Sequence, residues 1–406
     1  MTPHPALQTT YNRLDVGFVR GEGAWLEDEQ GRRYLDALSG IAVCGLGHAH
    51  PEIARALCEQ AHTLIHTSNI YRVPLQERLA ERLCEISGME RVFFANSGAE
   101  ANEAAIKLAR LHARRKSIQH PKIIVMEGSF HGRTLATLSA TGNTKVRDGF
   151  EPLVEGFVRV PYGDADAVAA LTHDPDIVAV LAEPIIGEGG IRIPPPGFGQ
   201  RLRKLCDEHD WLMMCDEIQA GIGRTGRWFA YQHQGFIPDV LSIAKGLGNG
   251  VPIGASLVAG RAADLFTPGK HGTTFGGNPL VCRVGLSVID IMERDQLLSR
   301  AEALGARIAQ GLRQRIGGLP IVQEIRQIGL MLGVELDRPC PSLVATALDE
   351  GLLLNVTAEK VIRLLPPLIL SDEEADRIAT GVSVCVERFF SEISAESQAN
   401  LKERHA

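Results

Sequence analysis

A chain of 406 residues is longer than one ordinary hydrophobic core organises, so about two domains are expected. With 45% apolar and 22% charged residues, its composition is that of a folded protein and not of a disordered one. The net charge of −7, from 42 lysines and arginines against 49 acids, argues against a nucleic-acid partner, because phosphate-backbone affinity needs clustered cations.

In chain order, Met1-Thr2-Pro3-His4-Pro5 has neither the basic nor the apolar region of a secretory signal. The first fifty residues, with Gly21-x-Gly23 and the turn Asp28-Glu29-Gln30-Gly31, predict short strands and turns. From 51 to 279, five continuous apolar runs (91–95, 123–126, 177–181, 211–215, 240–243) alternate with helix-like segments such as 100–115 and 198–209. Continuous runs suit strands covered on both faces, and the alternation predicts an α/β domain with right-handed crossovers and a mostly parallel sheet. From 280 to 406, amphipathic helices at 281–298, 304–316 and 372–390 flank β-like pieces at 321–328 and 330–335. Both ends of the chain, 1–50 and 280–406, are therefore expected to build a smaller α+β domain beside the large one. No repeat, low-complexity tract or apolar stretch near the roughly 18 residues of a membrane span is present. The eight scattered cysteines form no C-x-x-C pair, which points to reduced thiols in a cytoplasmic protein.

In an open parallel sheet, ligands bind where the strands end. After the first run comes Asn96-Ser97-Gly98-Ala99-Glu100, in which Ser97 and Glu100 form a capping box. On its own this is a helix cap, but a helix start with a glycine also offers free N–H groups and a positive dipole end to a phosphate. After the second run, Gly128-Ser129-Phe130-His131-Gly132-Arg133-Thr134 gathers an aromatic ring, an imidazole and a guanidinium into one turn. Glu183 leaves the third run and needs a partner if it is to stay ionised, whereas Glu188, among glycines, is free to swing. Asp216 ends the fourth run. With no His/Asp/Glu set nearby to complete a metal shell, a cation is its expected partner, and no metal site is expected. Lys245 follows the fifth run, where desolvation lowers a lysine's pKa and makes it nucleophilic toward carbonyls.

Other patterns carry no function. Gly221-Ile222-Gly223-Arg224-Thr225-Gly226 fits G-x-G-x-x-G but opens no helix. His48, His50, His62 and His66 lack a zinc spacing and read as structural, and Asn355-Val356-Thr357 has no meaning as a glycosylation site in a cytoplasmic protein.

Together the strand ends offer a phosphate seat, an aromatic stacker, an acid for a ring nitrogen and a reactive lysine, which are the demands of pyridoxal 5′-phosphate. Across essentially its whole length the chain resembles the class III pyridoxal-phosphate aminotransferases of fold type I. The resemblance rests on 96–103 (NSGAEANE), 129–134 (SFHGRT), 216–219 with 221–226 (DEIQ-x-GIGRTG), 244–247 (AKGL) and 273–279 (TTFGGNP). Within the class it is most similar to the N-acetylornithine aminotransferases, on Gly40-Ile41-Ala42-Val43, Leu46-Gly47-His48, Pro51 and His66-x-Ser68-Asn69.

The resemblance implies that Lys245 bonds the cofactor aldehyde and shuttles the proton, Asp216 holds the pyridine nitrogen, and Gln219 meets the phenolic oxygen. It implies that Phe130 stacks on the ring and that Ser97, Gly98 and Ala99 bind the phosphate. Ala99 departs from the threonine common in acetylornithine enzymes, so a hydroxyl contact is lost there and the backbone contacts are kept. Thr274 would reach the phosphate of a neighbouring subunit, making a homodimer obligatory. For substrate, Arg133 would take the α-carboxylate of the acylated amino acid, Thr273 would join the substrate site, and Arg363 would take the α-carboxylate of 2-oxoglutarate. Glu188 would mask Arg363 in the other half-reaction. The implied reaction is ping-pong transfer of the δ-amino group of N2-acetyl-L-ornithine to 2-oxoglutarate, in arginine biosynthesis. Succinylornithine, ornithine and 4-aminobutyrate are alternative donors. A binding-only protein on the same scaffold is a remote alternative, against which Lys245 and Asp216 argue.

Overall fold

The computed structural model describes residues 6–403, so the reading of Met1–Pro5 lies outside the described residues. Three sheets organise the chain. Strands β1 (Phe18–Glu22), β2 (Trp25–Asp28) and β3 (Arg33–Asp36) form an antiparallel meander. Seven strands then build the central sheet: β4 (Arg91–Ala95), β5 (Lys122–Met126), β6 (Phe157–Val160), β7 (Ile177–Ala182), β8 (Leu212–Asp216), β9 (Val240–Ile243) and β10 (Gly254–Val258). The C-terminal part adds β11 (Val322–Ile328), β12 (Met331–Leu336), β13 (Leu352–Leu353), β14 (Asn355–Thr357) and β15 (Val361–Leu364).

The central order is β4-β10-β9-β8-β7-β5-β6. Neighbours from β6 to β9 are parallel, and β10 runs antiparallel between β9 and β4. Every residue of β7, β8 and β9 is buried, which is why these segments read as unbroken apolar runs; β10 is equally buried. The five runs legible in the sequence became β4, β5, β7, β8 and β9. Two strands escaped that reading for different reasons. β6 is a half-exposed edge strand, and β10 opens with glycine because a Cβ at Gly254 would lie 2.4 Å from the carbonyl oxygen of Ser97. Close packing against the start of the neighbouring helix thus removed the hydrophobic signal.

The two ends of the chain meet: β13 pairs in parallel with β3 and joins the N-terminal meander. The remaining C-terminal strands form an antiparallel sheet of order β11-β12-β15-β14. Helices Pro279–Arg294, Leu297–Ile316 and Asp372–Glu403 accompany it. The sequence carried the first of these through 298 and began the second at 304. In the structure the break falls at Gln296, whose φ of +53° no α-helix accommodates. The parallel strands end at one rim, and that rim carries Gly128–Arg133, Glu183, Asp216 and Lys245.

Candidate active site

A cavity of about 390 Å³ opens at this rim, within the usual range for a small-molecule site. One wall is the start of helix Gly98–Arg115. Ser97 caps it by accepting from Glu100 N (3.2 Å), half of the predicted capping box; the Glu100 side chain returns not to Ser97 N but to Asn96 N (2.5 Å), one residue earlier. Neither bond uses the N–H groups of Gly98 and Ala99, which line the cavity at the positive end of an 18-residue helix. A Cβ on Gly98 would meet Ile218 at 2.7 Å, so glycine lets the helix start approach the cavity floor.

Asp216, the last residue of β8, is 3% exposed. Its Oδ2 accepts from Asn102 Nδ2 (2.7 Å) and His131 Nδ1 (2.8 Å), and its Oδ1 accepts from Ile218 N (3.1 Å). Asn102 also donates to the carbonyl of His131 (2.9 Å). Asp216 is thereby locked in one orientation with capacity left on Oδ1 toward the cavity.

Lys245 begins a short 3-10 turn after β9 with φ +43°, a left-handed conformation that costs a non-glycine residue free energy. Its ammonium has no hydrogen-bond or ion-pair partner among the described residues. Burial lowers its pKa, which the charges of Glu188 and Asp216 only partly offset. Glu183 closes the floor, accepting from Phe130 N (2.9 Å) and Gly187 N (3.1 Å). Burial, reinforced by the nearby Asp216 charge, lifts its carboxyl to about 7.

At the far side Arg363, on β15, is fully buried. Its Nη1 meets Glu188 Oε1 at 2.6 Å and Gln219 Oε1 at 3.2 Å, and its Nε donates to Asn355 Oδ1 at 3.1 Å. Burial pushes the Glu188 carboxyl up, but the Arg363 charge and hydrogen bond outweigh it and hold the group below its ordinary value. Nη2 of Arg363, Nε2 of His131 and Oδ1 of Asn102 are buried without partners among the described residues.

Of the residues singled out from the sequence, Ser97, Gly98, Ala99, Phe130, Arg133, Glu188, Asp216, Gln219 and Lys245 line this cavity, and so do His131 and Glu183. Arg133 is exposed, with its guanidinium 5.7 Å from the centre of the Phe130 ring. Arg363 reaches the cavity through Glu188 and Gln219. Thr273 lies outside the lining and bonds Asn96 Nδ2 (3.3 Å), and Thr274 is exposed. His48 is the satisfied structural residue expected, 2.8 Å from Asp36. The sequence reading missed Asn102. The available signal was an asparagine on the otherwise alanine-rich buried face of helix Gly98–Arg115.

The cavity fits pyridoxal phosphate on its own geometry: free N–H groups at a helix start, an oriented carboxyl with spare acceptor capacity, an unpaired lysine and an aromatic ring all line it. Among the described residues no group of three metal-ligating side chains occurs, and no helix is long and apolar enough to cross a membrane.

The model of the family "Aminotransferase class-III" matches residues 7–386. The acetylornithine aminotransferase of Nitrosomonas europaea is 55% identical over 384 residues, covering 94% of this chain and 98% of that one. That of Gloeobacter violaceus is 51% identical, covering 90% and 92%. Among solved structures, N-acetylornithine aminotransferase from Stenotrophomonas maltophilia superposes with a TM-score of 0.83 at 35% identity, covering 94% of this chain and 98% of that one. The ornithine aminotransferase of Toxoplasma gondii does so with a TM-score of 0.91 at 34% identity, covering 96% and 94%. With a family match over residues 7–386 and relatives more than half identical across nearly the whole chain, the chain belongs to the class-III aminotransferases.

Proposed function

We propose that the protein is a pyridoxal-phosphate enzyme that moves the δ-amino group of N2-acetyl-L-ornithine to 2-oxoglutarate. It yields N-acetyl-L-glutamate 5-semialdehyde and L-glutamate by a ping-pong mechanism, a step of arginine biosynthesis. The cofactor supplies an aldehyde that exchanges for the amino group and a ring that withdraws electrons from the carbon losing its proton. Lys245 Nζ, whose pKa burial lowers, would hold the aldehyde end and would move that proton as general base. Asp216, fixed by Asn102 and His131, would hold the ring nitrogen, and Gly98 and Ala99 N–H with Ser97 would bind the phosphate. Phe130 would cover one ring face and Gln219 would donate to the phenolic oxygen.

Most of the weight rests on one contact, the 2.6 Å Glu188–Arg363 pair beside an unpaired lysine. An ω-amino donor brings no carboxylate near the reacting nitrogen, so an open arginine there would favour α-amino donors; the Glu188 carboxylate neutralises it. When 2-oxoglutarate enters, its α-carboxylate displaces Glu188 and finds the unpartnered Nη2 ready for a bidentate contact. Arg133, at the exposed mouth, takes the carboxylate at the other end of either substrate, and Thr273 would join the site through its partner Asn96, which lines the cavity.

A homodimer completes the site through Thr274. In support, Ile70 and Tyr71 (80% and 67% exposed) share a surface with Phe275 (60% exposed), tied together by Asn69 Nδ2 bonding the carbonyls of Thr273 and Gly276 (3.1 Å each). Such a cluster of bare apolar side chains marks an association surface. In this reading residues 51–279 form the cofactor-binding domain and residues 1–50 with 280–406 the smaller one. All eight cysteines are free, in keeping with a reducing cytoplasm.

The test is kcat/KM for acetylornithine, succinylornithine, ornithine and 4-aminobutyrate with 2-oxoglutarate as acceptor. Acetylornithine is expected to lead ornithine and 4-aminobutyrate by at least about tenfold, the effect of one lost polar contact at an acyl site. Equal or better turnover of ornithine refutes the donor assignment.

A further inference from the structure

The Glu188 side chain sits on a segment, Gly187 to Ile191, that looks mobile by composition because three of its five residues are glycine. Its contacts say otherwise. The carbonyl of Glu188 itself accepts from the hydroxyl of Thr357, at the end of β14. Two residues on, the guanidinium of Arg326 in β11 grips the carbonyls of Gly190 (Nη2, 2.7 Å) and Ile191 (Nε, 3.0 Å). Arg326 is itself immobilised. Its Nη1 pairs with Glu324 and Glu335 at 2.6 Å each, and its side chain is 10% exposed. The side chain of Ile191 is fully buried against Gly333 of β12, where an added Cβ would lie 3.0 Å from that of Ile191.

All three anchors, Thr357, Arg326 and Gly333, belong to the sheet that carries Arg363. In its register Arg363 stands directly opposite Gly333 on β12 and Asn355 on β14. The backbone of the masking residue and the backbone of the masked one are therefore referenced to a single rigid body. Sliding the segment to separate Glu188 from Arg363 would break a hydroxyl bond, a two-pronged guanidinium contact and a buried apolar contact together. Rotating the Glu188 side chain breaks only its own ion pair.

We infer that Thr357 and Arg326 are positioning residues for substrate selection: they pin the backbone at the Glu188 carbonyl and at the two carbonyls of Gly190 and Ile191 beyond it, so the mask opens by rotation of one side chain over a fixed main chain. The inference rests on the proposed Glu188–Arg363 mask. Releasing either anchor lets Glu188 drift from Arg363, and the bared arginine then admits α-amino donors in the amine half-reaction.

The experiment measures single-turnover half-reactions of the cofactor-loaded enzyme with acetylornithine and with L-glutamate, for Thr357→Val, Thr357→Ser, Arg326→Gln and Glu188→Ala. Thr357→Val keeps the shape and removes one hydrogen bond. It is expected to raise the glutamate-to-acetylornithine ratio of kcat/KM by about fivefold, as for a loss of about 1 kcal/mol. Thr357→Ser restores the native ratio, and Arg326→Gln, which loses two bonds, moves it further in the same direction. In a Glu188→Ala background neither anchor substitution changes the ratio more than about twofold, because no mask is left to misplace. A native ratio in both Thr357→Val and Arg326→Gln, with Glu188→Ala shifted, overturns the inference and leaves the mask standing. An unshifted Glu188→Ala overturns the mask itself. Equal losses with both donors, in either background, mean that the anchors serve folding alone and also overturn the inference.

Discussion

Substituting Asn102 with alanine removes the one amide that ties Asp216 to the loop beside it. The side chain is fully buried, and its Oδ1 has no partner. The change therefore orphans no donor, and its cost falls on two acceptors, Asp216 Oδ2 (2.7 Å) and the carbonyl of His131 (2.9 Å). A bond to a charged group contributes about 1.5–3 kcal/mol and a neutral one about 0.5–1.5, giving about 2–4.5 kcal/mol of lost stability. The lower half of that range is expected, because Asp216 keeps His131 Nδ1 and Ile218 N. Asp216 also gains freedom to turn away from the cavity, so pyridoxal phosphate affinity should fall about tenfold, equivalent to about 1.4 kcal/mol. Urea unfolding of the cofactor-free protein reads the first quantity, and titration of the cofactor reads the second. A stability loss below about 1 kcal/mol with unchanged affinity would falsify the assignment of Asn102 as the holder of Asp216. The same loss in an Asp216→Asn background would reduce Asn102 to packing.

Arg363→Lys keeps a positive charge but loses the planar fork, so KM for 2-oxoglutarate should rise about tenfold or more while the acetylornithine half-reaction is nearly unchanged; parallel losses in both half-reactions would contradict the role. Glu183, raised from 4.5 to about 7 chiefly by burial, binds its proton more tightly in the folded chain than in the unfolded one. Its contribution to stability is thus complete below about pH 4.5, declines as pH rises toward 7 and is constant above, and Glu183→Gln should flatten that decline in urea midpoints measured across the window. Ile70→Glu places a charge in the exposed apolar cluster and should give monomers by light scattering with loss of activity; an active monomer would remove the homodimer from the proposal.

How much of this was written in the sequence follows from how each contact is made. Lys245, Asp216, Glu183 and the Phe130 loop each stand just after, or as the last residue of, an unbroken apolar run, and parallel strands deliver their ends to one rim. Reading the runs was enough to gather them. The cap around Ser97 is likewise local, with Asn96, Ser97 and Glu100 bonded within five residues. β10 was illegible for the opposite reason: glycine, alanine and serine replaced the apolar run where helix and strand needed to touch.

Selectivity is carried by contacts of another kind. Glu188 and Arg363 are 175 residues apart, and the anchors beneath Glu188 lie 136 (Gly190 to Arg326) and 169 (Glu188 to Thr357) residues away. Whether Thr357 and Arg326 face that segment depends on strand register, and a slip of one residue turns every side chain of a strand to the opposite face. Pattern reading specifies that a strand exists and leaves its register open, so Thr357 read only as part of a meaningless glycosylation triplet and Arg326 as one charge in a β-like piece. The division has a physical basis. Chemistry at the cofactor needs groups on the ends of adjacent strands, which a local pattern encodes, whereas discrimination between two substrates needs one movable side chain set against a rigid reference, and that reference is built from the register of a separate sheet.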